Sequence, residues 1–346
     1  KKLNMSLKNL NVSTKIPKLL KQYLKNKKIN QIYKKFEKTL DINEGFIVAV
    51  SGGPDSLALA FLSKVYAFRK NLFVKFLIID HKLRSESTKE AKSVQKVLKQ
   101  IKIDSKILIW NGKKPNKNVQ SLARKKRYEL LFAESDKHEI NNILLGHHED
   151  DLIENFFIRI LRGSGLKGLI SLDKKSKIDN KILLRPLINQ KKEDLIFLAN
   201  HVFNFYVKDP SNEDKKYQRV LIRKLIEEFQ KKGLDKKKFG KTIKNLKYSN
   251  KVVDFYVDKN LRSNSYFSKI KGKLILNKEY FKQPYEVVFR SLTESIKLIG
   301  KKYYPVRGKK LSRIISNIEN NRLLKQTIGG CIIERINQTI IISKEH

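Results

Sequence analysis

The chain has 346 residues, enough for two or three domains, and its 40% hydrophobic content excludes a disordered polypeptide. Its formal net charge is +42, from 76 basic against 34 acidic residues, which favours a nucleic-acid partner, although a compositional bias toward lysine would give the same excess. A single cysteine, Cys331, excludes an internal disulfide, and no apolar run is long enough to span a membrane, so we expect a cytoplasmic protein without a membrane partner.

The first part of the chain shows two patterns in succession. Residues 1–40 are highly charged with apolar residues at helical spacing, and we predict a helical N-terminal extension there. Short apolar runs then alternate with helical patterns, which predicts an α/β catalytic domain with a parallel, doubly wound sheet over residues 41–228. The predicted strands are residues 46–50, 73–79, 107–110 and 142–145, and the predicted helices are residues 56–66, 87–101 and 119–132.

Beyond Pro186 the alternation fades. Helical patterns cover residues 191–203, 216–231 and 236–261, and β-rich runs cover residues 331–335 and 339–343. We therefore predict that residues 229–346 form a basic helical region followed by a small mixed α+β C-terminal domain, and that its lysines bind RNA. A solvated helical surface is the alternative interpretation of these lysines.

The segment Ser51-Gly52-Gly53-Pro54-Asp55-Ser56 directly follows the first predicted strand and precedes a helix. Its glycines let the backbone approach a phosphate, and the loop N–H groups and the helix dipole favour an anion. Asp55 would repel that phosphate unless a divalent cation lay between them, so we predict Mg²⁺ at this loop. For the glycine pair alone, a plain strand–helix turn capped by Asp55 or Ser56 is the simpler interpretation.

The same segment carries a family resemblance. The chain lacks the Walker pattern and has no GxGxxG after this strand, which disfavours an ordinary P-loop NTPase and a dinucleotide enzyme. Instead, the segment resembles the SGGxDS motif of the PP-loop ATP pyrophosphatases, which cleave ATP to an adenylated substrate and pyrophosphate. This resemblance implies that ATP is bound by Ser51, Gly52, Gly53, Pro54, Asp55 and Ser56.

Further segments, in order along the chain, are similar to motifs of the tRNA(Ile)-lysidine synthases. They are Asp80–Arg84 (DHKLR), Ala123–Tyr128 (ARKKRY), Gly146–Asp151 (GHHEDD), Arg162–Gly165 (RGSG), Arg185–Leu187 (RPL), Asp209–Asn212 with Tyr217, Arg219, Ile222 and Arg223, Tyr304–Gly308, and Thr327–Cys331. Each motif alone is weak, but the ordered set indicates this family. Asn155 and Val220 depart from the family pattern, which usually has Thr and Asn there, and this leaves their roles open.

The resemblance implies a two-step reaction on the wobble cytidine of an isoleucine tRNA with a CAU anticodon. The C2 oxygen of the base attacks the α-phosphate of ATP and releases pyrophosphate. The ε-amine of free L-lysine then attacks C2 and expels AMP, leaving lysidine, which changes codon reading from AUG to AUA. The implied cofactors are ATP and Mg²⁺, the implied partners are this tRNA and lysine, and a homodimer is left open.

The resemblance and the chemistry together assign roles to individual side chains. The expected catalytic residues are Asp55, Asp151, Arg124, Arg127 and His148. Asp55 and Asp151 would lie near Mg²⁺, the two arginines would contact phosphate, and His148 would orient the base or substrate. The general base for the lysine amine is either Asp151 or Asp80. The expected substrate contacts are Asp80, His81, Arg84, Arg162 and Arg185.

Taken singly, these residues also fit structural roles. His147 and His148 could bond to the backbone, Asp151 could cap a helix, and Arg124 and Arg127 have the spacing of a solvated helix face. All of them follow predicted strands at the carboxyl end or lie on the next helix. That common placement favours a single site at one rim of the sheet.

Three other functions share some of these features. A tRNA thiolase uses the same ATP chemistry but generally relies on cysteines, and Cys331 is far along the chain from the phosphate loop. A non-catalytic RNA-binding protein would gain nothing from Asp55. A small-molecule amidotransferase-type ligase fits neither the basic charge nor the lack of a glutaminase segment.

Overall fold

The computed structural model of the protein describes residues 17–112, 119–207, 218–301 and 306–345. Three segments that contribute to the family resemblance, Asp209–Asn212, Tyr217 and Tyr304–Pro305, lie outside the described residues. The chain divides into two units, one ending at Phe239 and one beginning at Gly240. The domain boundaries that the sequence suggests, after residues 40 and 228, stay predictions.

The first unit is built on a six-stranded sheet. Its strands are β1 (Phe46–Val50), β2 (Val74–Asp80), β3 (Ser105–Ile109), β4 (Asn142–Leu144), β5 (Lys175–Ile178) and β6 (Lys181–Leu184). Their order is β3-β2-β1-β4-β6-β5, and all neighbours are parallel except β5 and β6. Because the chain runs outward from β1 to β3 and then returns to β4 on the other side of β1, a crevice opens at the carboxyl ends of β1 and β4.

Helices cover both faces of this sheet. They are α1 (Lys18–Leu24), α2 (Lys27–Thr39), α3 (Pro54–Lys70), α4 (Ser87–Gln100), α5 (Val119–Lys137), α6 (Glu149–Leu161), α7 (Leu166–Leu169), α8 (Lys192–Phe203) and α9 (Gln218–Lys231). Helices α1 to α4 and α8 share one hydrophobic core with the sheet, whereas α5 packs on the opposite face through Leu131 and Phe132. Helix α3 is apolar on nearly every side because it lies inside that first core.

The doubly wound fold expected from the sequence is therefore confirmed. The β5–β6 hairpin was not predicted, because its strands have only four residues each and contain lysines at positions 175, 177 and 181. Within the described residues, every helix is too short or too polar to cross a lipid bilayer.

The second unit contains a five-stranded antiparallel sheet packed against helices. Its elements are α10 (Lys236–Asn264, which begins just before the division), β7 (Ser265–Ser268), β8 (Lys273–Leu276), a 3-10 turn (Lys278–Lys282), α11 (Tyr285–Gly300), α12 (Gly308–Glu319), β9 (Lys325–Ile328), β10 (Cys331–Ile336) and β11 (Thr339–Lys344). The strand order is β7-β8-β11-β10-β9. Leu292 of α11 and Ile315 of α12 belong to the same core as Ile333 and Ile342 of the sheet. The mixed α+β C-terminal region is confirmed.

The Thr327–Cys331 segment forms the turn between β9 and β10. Gly329 has a φ of +63°, and a Cβ there would lie 2.7 Å from Cγ2 of Ile296. A glycine is needed at this position both for the left-handed backbone and for the close approach of α11. This motif therefore has a packing role in the second unit.

Candidate active site

The loop between β1 and α3, Ser51–Gly53, is called the glycine loop here. Gly52 has a φ of +89°, and a Cβ at this position would lie only 2.5 Å from Cγ2 of Val94. Its carbonyl accepts a hydrogen bond from the backbone N–H of Val207 at 2.9 Å. Both the backbone conformation and the packing therefore require glycine at Gly52.

The hydroxyl of Ser56 holds this loop closed. It accepts hydrogen bonds from the backbone N–H groups of Ser51 and Gly52, at 3.1 and 3.0 Å, and donates to the carbonyl of Gly53 at 3.0 Å. The Ser51 hydroxyl lies 3.2 Å from the same oxygen. Ser56 is 5% exposed, so its main contacts are with the loop itself. A direct contact between Ser56 and a nucleotide stays a prediction.

Gly53 differs from Gly52 in having no structural need for glycine. It has an ordinary φ of −68°, and the nearest atom to a Cβ built there is the Ser51 hydroxyl oxygen at 4.0 Å. It precedes Pro54 at the start of α3, where no side chain caps the helix. Open space in front of an uncapped helix N-terminus suits an anion, because the free N–H groups and the helix dipole attract negative charge.

Beside this loop, three side chains from two helix starts converge. Nε2 of His148 lies 3.6 Å from Oδ2 of Asp55 and 3.6 Å from Oδ2 of Asp151. Asp55 lies in the first turn of α3, and His148 is the N-cap of α6. Gly146 permits this approach, because a Cβ there would already lie 3.3 Å from the backbone nitrogen of Ser56. The structure thus brings Asp55, His148 and Asp151 together, and their catalytic roles stay predictions.

The hydrogen bonds of α6 fix the imidazole of His148. Its Nδ1 accepts from the backbone N–H of Asp150 at 3.2 Å, and its own backbone N–H donates to Oδ2 of Asp151 at 3.0 Å. Because Nδ1 is an acceptor, the ring proton is on Nε2, which faces both carboxylates. The capping hydrogen bond therefore sets the tautomer of His148, with the proton on Nε2.

The two carboxylates have opposite pKa shifts. Burial raises the pKa of Asp55, and the nearby charge of Asp151 raises it further against the opposing effect of His148. Burial also acts to raise the pKa of Asp151, but His148, His147 and the backbone N–H of His148 outweigh it and lower the pKa. Asp151 is therefore the more firmly ionised of the pair.

Four arginines and His147 form a basic group next to this triad. Arg124 and Arg127 come from α5, Arg185 follows β6, and Arg219 is on α9. Burial lowers the pKa of His147 to about 4, and the charges of Arg185, Arg124 and Arg219 lower it further against Asp151. Desolvation by the surrounding protein lowers the pKa of Arg127, and the charges of Arg124 and Arg219 lower it further. The Arg127 side chain is nevertheless exposed to solvent. Such mutual repulsion is relieved by an anion.

Arg185 is the most buried member of this group, at 5% exposure. Its Nη1 donates to the carbonyl of Asp173 at 2.8 Å and to the hydroxyl of Ser176 at 3.0 Å. Its Nε, like Nδ1 of His147, is buried without a hydrogen-bond partner among the described residues. Buried polar atoms of this kind normally have a partner, so both atoms can form a hydrogen bond with a water or a ligand.

The residues after β2 have different environments. Asp80 is 1% exposed, and its carboxylate accepts from the N–H of Lys82 and the hydroxyls of Ser87 and Thr88 at 2.9, 2.8 and 2.6 Å. Although burial alone would raise its pKa, these bonds lower it. Asp80 therefore anchors the turn into α4, and its contact with substrate stays a prediction.

His81 and Arg84 lie on the same turn. Both ring nitrogens of His81 are buried without a partner among the described residues, and burial, with Arg127, lowers its pKa to about 4. Arg84 donates to Glu90 at 2.9 Å. Arg162, at the end of α6, donates to Gln218 at 3.2 Å. The structure does not place Arg84 or Arg162 in direct contact with the Asp55–His148–Asp151 triad.

The two departures from the family pattern have local explanations. Asn155 donates to the hydroxyl of Ser171 at 3.3 Å. Val220 is buried, with 6% exposure. Next to them, Glu154 and Arg223 form a pair at 2.6 Å that joins α6 to α9. Neither departure removes a group from the triad.

Sequence reasoning missed one nearby cation. Lys192, the first residue of α8, is close enough to Asp55 for its charge to lower the pKa of that carboxyl. Lys192 belongs to none of the motifs recognised in the sequence. The packing of α8 on α3 brings it close to Asp55. Arg219 belongs to a motif, but its position among the other arginines had no signal in the sequence.

A divalent cation fits this site only if substrate oxygens complete its coordination. Within the described part of the chain, no group of three or more His, Cys, Asp or Glu side chains is arranged to hold a metal. However, Oδ1 of Asp55 is buried without a hydrogen-bond partner among the described residues, and Asp151 faces the same imidazole. Mg²⁺ often uses one or two carboxylates with substrate phosphates, so this donor set suits it.

Comparison with known proteins identifies the family of the chain. A family model described as a PP-loop domain matches residues 22–229. A tRNA(Ile)-lysidine synthase of Orientia tsutsugamushi is 34% identical over 88% of this chain and 70% of its own length. The enzyme of the same name from the Wolbachia of Brugia malayi is 31% identical over 88% of this chain and 73% of its own.

Among solved structures, the U34-tRNA thiolase NcsA of Methanococcus maripaludis is similar with a TM-score of 0.54. It is 19% identical, and the match covers 64% of this chain and 79% of the thiolase. At this level of identity the likeness concerns the fold alone.

Proposed function

Because the chain belongs to the tRNA(Ile)-lysidine synthase family of PP-loop proteins, we propose that it ligates lysine to C2 of the wobble cytidine in isoleucine tRNA with a CAU anticodon. It is an ATP-using ligase that modifies tRNA. The observation that carries the assignment to this site is the convergence of Asp55, His148 and Asp151 beside the glycine loop.

The glycine loop would bind the pyrophosphate part of ATP. Gly53 leaves room for it, and the N–H groups at the start of α3 would donate to its oxygens. Lys192 adds a positive charge on the same side. Because Ser56 already fixes the loop, these donors are in place before the nucleotide arrives, which is how preorganised groups stabilise developing charge.

Mg²⁺ is the cation that we propose for this site. Asp55 and Asp151 would hold it, and when bound it would offset the negative charge that develops on pyrophosphate. The raised pKa of Asp55 fits this role, because a carboxyl that is unfavourably charged alone gains most from a nearby cation.

The arginine group would bind the phosphate at the reacting centre or that of the RNA backbone. Arg124 and Arg127 are exposed, and Nε of Arg185 is buried without a hydrogen-bond partner among the described residues. Planar guanidinium groups can bind phosphate oxygens in pairs. His147 stays neutral and can accept or donate a hydrogen bond to the base.

For the second step, Asp151 is the better of the two proposed bases. Its carboxylate faces the crevice, whereas both oxygens of Asp80 are already occupied by hydrogen bonds. After pyrophosphate has left, an ionised Asp151 would attract the ammonium group of lysine. Because its pKa is low, it would accept a proton only from the nitrogen that has bonded to C2 and become more acidic. Nε2–H of His148, between the two carboxylates, would orient the attacking groups.

A thiolase with the same ATP chemistry is the alternative function. The one cysteine, Cys331, is buried in the core of the second unit and lies 3.3 Å from the carbonyl of Ile296. That environment does not suit a sulfur carrier. Free lysine as co-substrate and a cytoplasmic location are also parts of the proposal, whereas the oligomeric state is left open.

Omitting one substrate at a time tests the proposed order of events. With isoleucine tRNA, ATP and Mg²⁺ but no lysine, we expect exchange of labelled pyrophosphate into ATP. Adding lysine should release AMP in amounts equal to the lysine transferred. AMP release that ignores lysine but requires a sulfur donor would support the thiolase instead.

A further inference from the structure

Helix α10 has large apolar side chains on its solvent face. Its buried residues are Ile243, Asn250, Val257 and Asn260. With a rotation of about 100° per residue, Tyr248, Val252 and Phe255 lie on the opposite side, and Tyr256 lies at its edge. These four are 52%, 58%, 64% and 48% exposed. These four side chains do not belong to the hydrophobic core of the second unit.

Basic residues flank these apolar side chains along the same face of the helix. The resulting set is called the α10 row and consists of Lys241, Lys244, Tyr248, Lys251, Val252, Phe255, Tyr256, Lys259 and Arg262. The ammonium groups of Lys244 and Lys251 lie 5.6 and 5.9 Å from the centre of the Tyr248 ring. From Lys241 to Arg262 the row extends about 32 Å along the helix, at a rise of about 1.5 Å per residue.

Two acidic residues lie beside this row. Asp254 accepts hydrogen bonds from Nη1 of Arg290 on α11 at 3.1 Å and from the amide of Asn250 at 2.6 Å. Asp258 is exposed and borders the row, about 80° around the helix from Tyr248 on the side opposite Tyr256. The row therefore combines five positive charges with three aromatic rings and one valine.

This combination selects among the partners that could cover the row. A second copy of the chain would bring its own five cations against these five, with only Asp258 at the border of each row to compensate. A polyanion has the complementary charge, and the flat rings are suited to stacking on nucleobases. An A-form duplex offers few accessible base faces, whereas unpaired nucleotides offer many.

We propose that the α10 row binds unpaired nucleotides of the tRNA substrate, with its aromatic rings stacking on bases and its cations contacting phosphates. The identity of the RNA rests on the proposed function, whereas the chemistry of the row does not. The sequence alone predicted only lysines binding the backbone, and the three aromatic residues add a stacking surface.

The test uses the full chain and the isoleucine tRNA transcript. Tyr248→Ala, Phe255→Ala and Tyr256→Ala, combined, should weaken tRNA binding by about tenfold or more, because base stacking contributes that much per base. All three sites are exposed and alanine favours helix, so circular dichroism should show unchanged helix content. Leucine at the same positions keeps the apolar area and should not restore the affinity.

The lysines need a separate readout. The double variant Lys244→Ala with Lys251→Ala should reduce the slope of log affinity against log salt concentration by about 1.4 to 1.8. Each phosphate contact that is lost reduces this slope by about 0.7 to 0.9, because fewer counterions are released on binding. The aromatic triple variant should keep the wild-type slope. The matched control is Phe73→Ala with Tyr285→Ala, two residues that are 59% and 52% exposed outside the row, and its affinity should not change.

Two results would overturn the inference. One is wild-type tRNA affinity in the aromatic triple variant. The other is a dimer that the triple variant loses in light scattering while its tRNA binding stays intact, which would assign the row to a second copy. Lysine transfer by the wild type is measured separately. If the protein transfers no lysine but its RNA binding depends on the α10 row, the proposed function is contradicted and the inference about the row stands.

Discussion

Nε2 of His148 lies 3.6 Å from Oδ2 of Asp55, which joins the start of α6 to the first turn of α3 across the carboxyl ends of β1 and β4. The same nitrogen is 3.6 Å from Asp151. Two helix starts that could each serve only as caps are thereby combined into one polar crevice.

Replacing Asp55 with Asn should abolish activity and raise stability. Burial raises the pKa of Asp55, so its ionised form at pH 7 is disfavoured in the folded state and lowers the free energy of unfolding. Asn removes that charge, and pyrophosphate release should fall by at least about 100-fold. Thermal unfolding without nucleotide should show a higher midpoint at pH 7 and a smaller gain at pH 5. A lower midpoint at pH 7 would contradict this account.

At His148, two substitutions separate the cap from the chemistry. His148→Asn keeps an N-cap acceptor for the N–H of Asp150, so its stability should match the wild type, whereas His148→Ala should lose about 1 kcal/mol. Both remove Nε2 and should slow lysine transfer by about 100-fold or more. If the Asn variant were fully active, the imidazole would have only a structural role.

The two glycines of the loop should respond in opposite ways. Gly52→Ala forces a methyl group to within 2.5 Å of Val94 at a φ of +89° and should destabilise the fold by about 1–3 kcal/mol. Gly53→Ala has space and an ordinary φ, so it should cost less than about 1 kcal/mol but raise the KM for ATP. Urea unfolding and ATP kinetics of both variants check this pair. Equal loss of stability would mean that the space at Gly53 is not reserved for a ligand.

Stability should fall as the pH drops below about 6.5. Burial lowers the pKa values of His81 and His147 from 6.5 to about 4, so between these values the unfolded chain binds protons that the folded protein does not. Their contribution is therefore intact above pH 6.5 and lost toward pH 4. Replacing both with Gln should flatten urea-derived stability over this window. The control His201→Gln, at an exposed helix position, should leave the slope unchanged.

The sequence predicted the sheet well because buried parallel strands leave continuous apolar runs, as in Phe46–Val50. The three members of the triad were candidates from the sequence because each belongs to a motif at a strand end. It could not predict that the Asp80 carboxylate accepts hydrogen bonds from Lys82, Ser87 and Thr88, since those bonds depend on how the turn closes.

The sequence also could not predict residues that reach the site only through tertiary packing. Lys192 arrives at Asp55 only because α8 packs on α3, and no local pattern marks it. The β5–β6 hairpin was missed because four-residue strands with lysines lack an apolar run. The α10 row needed the structure, because only burial shows which face of a lysine-rich helix is turned to solvent.

The most direct test of the central claim follows labelled lysine into RNA. Purified protein, ATP and Mg²⁺ are incubated with isoleucine tRNA or with methionine tRNA, both carrying a CAU anticodon. We predict label in the isoleucine tRNA alone, at the wobble cytidine, and none with Asp55→Asn. Absence of label in the wild type, together with RNA-dependent exchange of pyrophosphate into ATP, would contradict lysine ligation and leave only the adenylation chemistry.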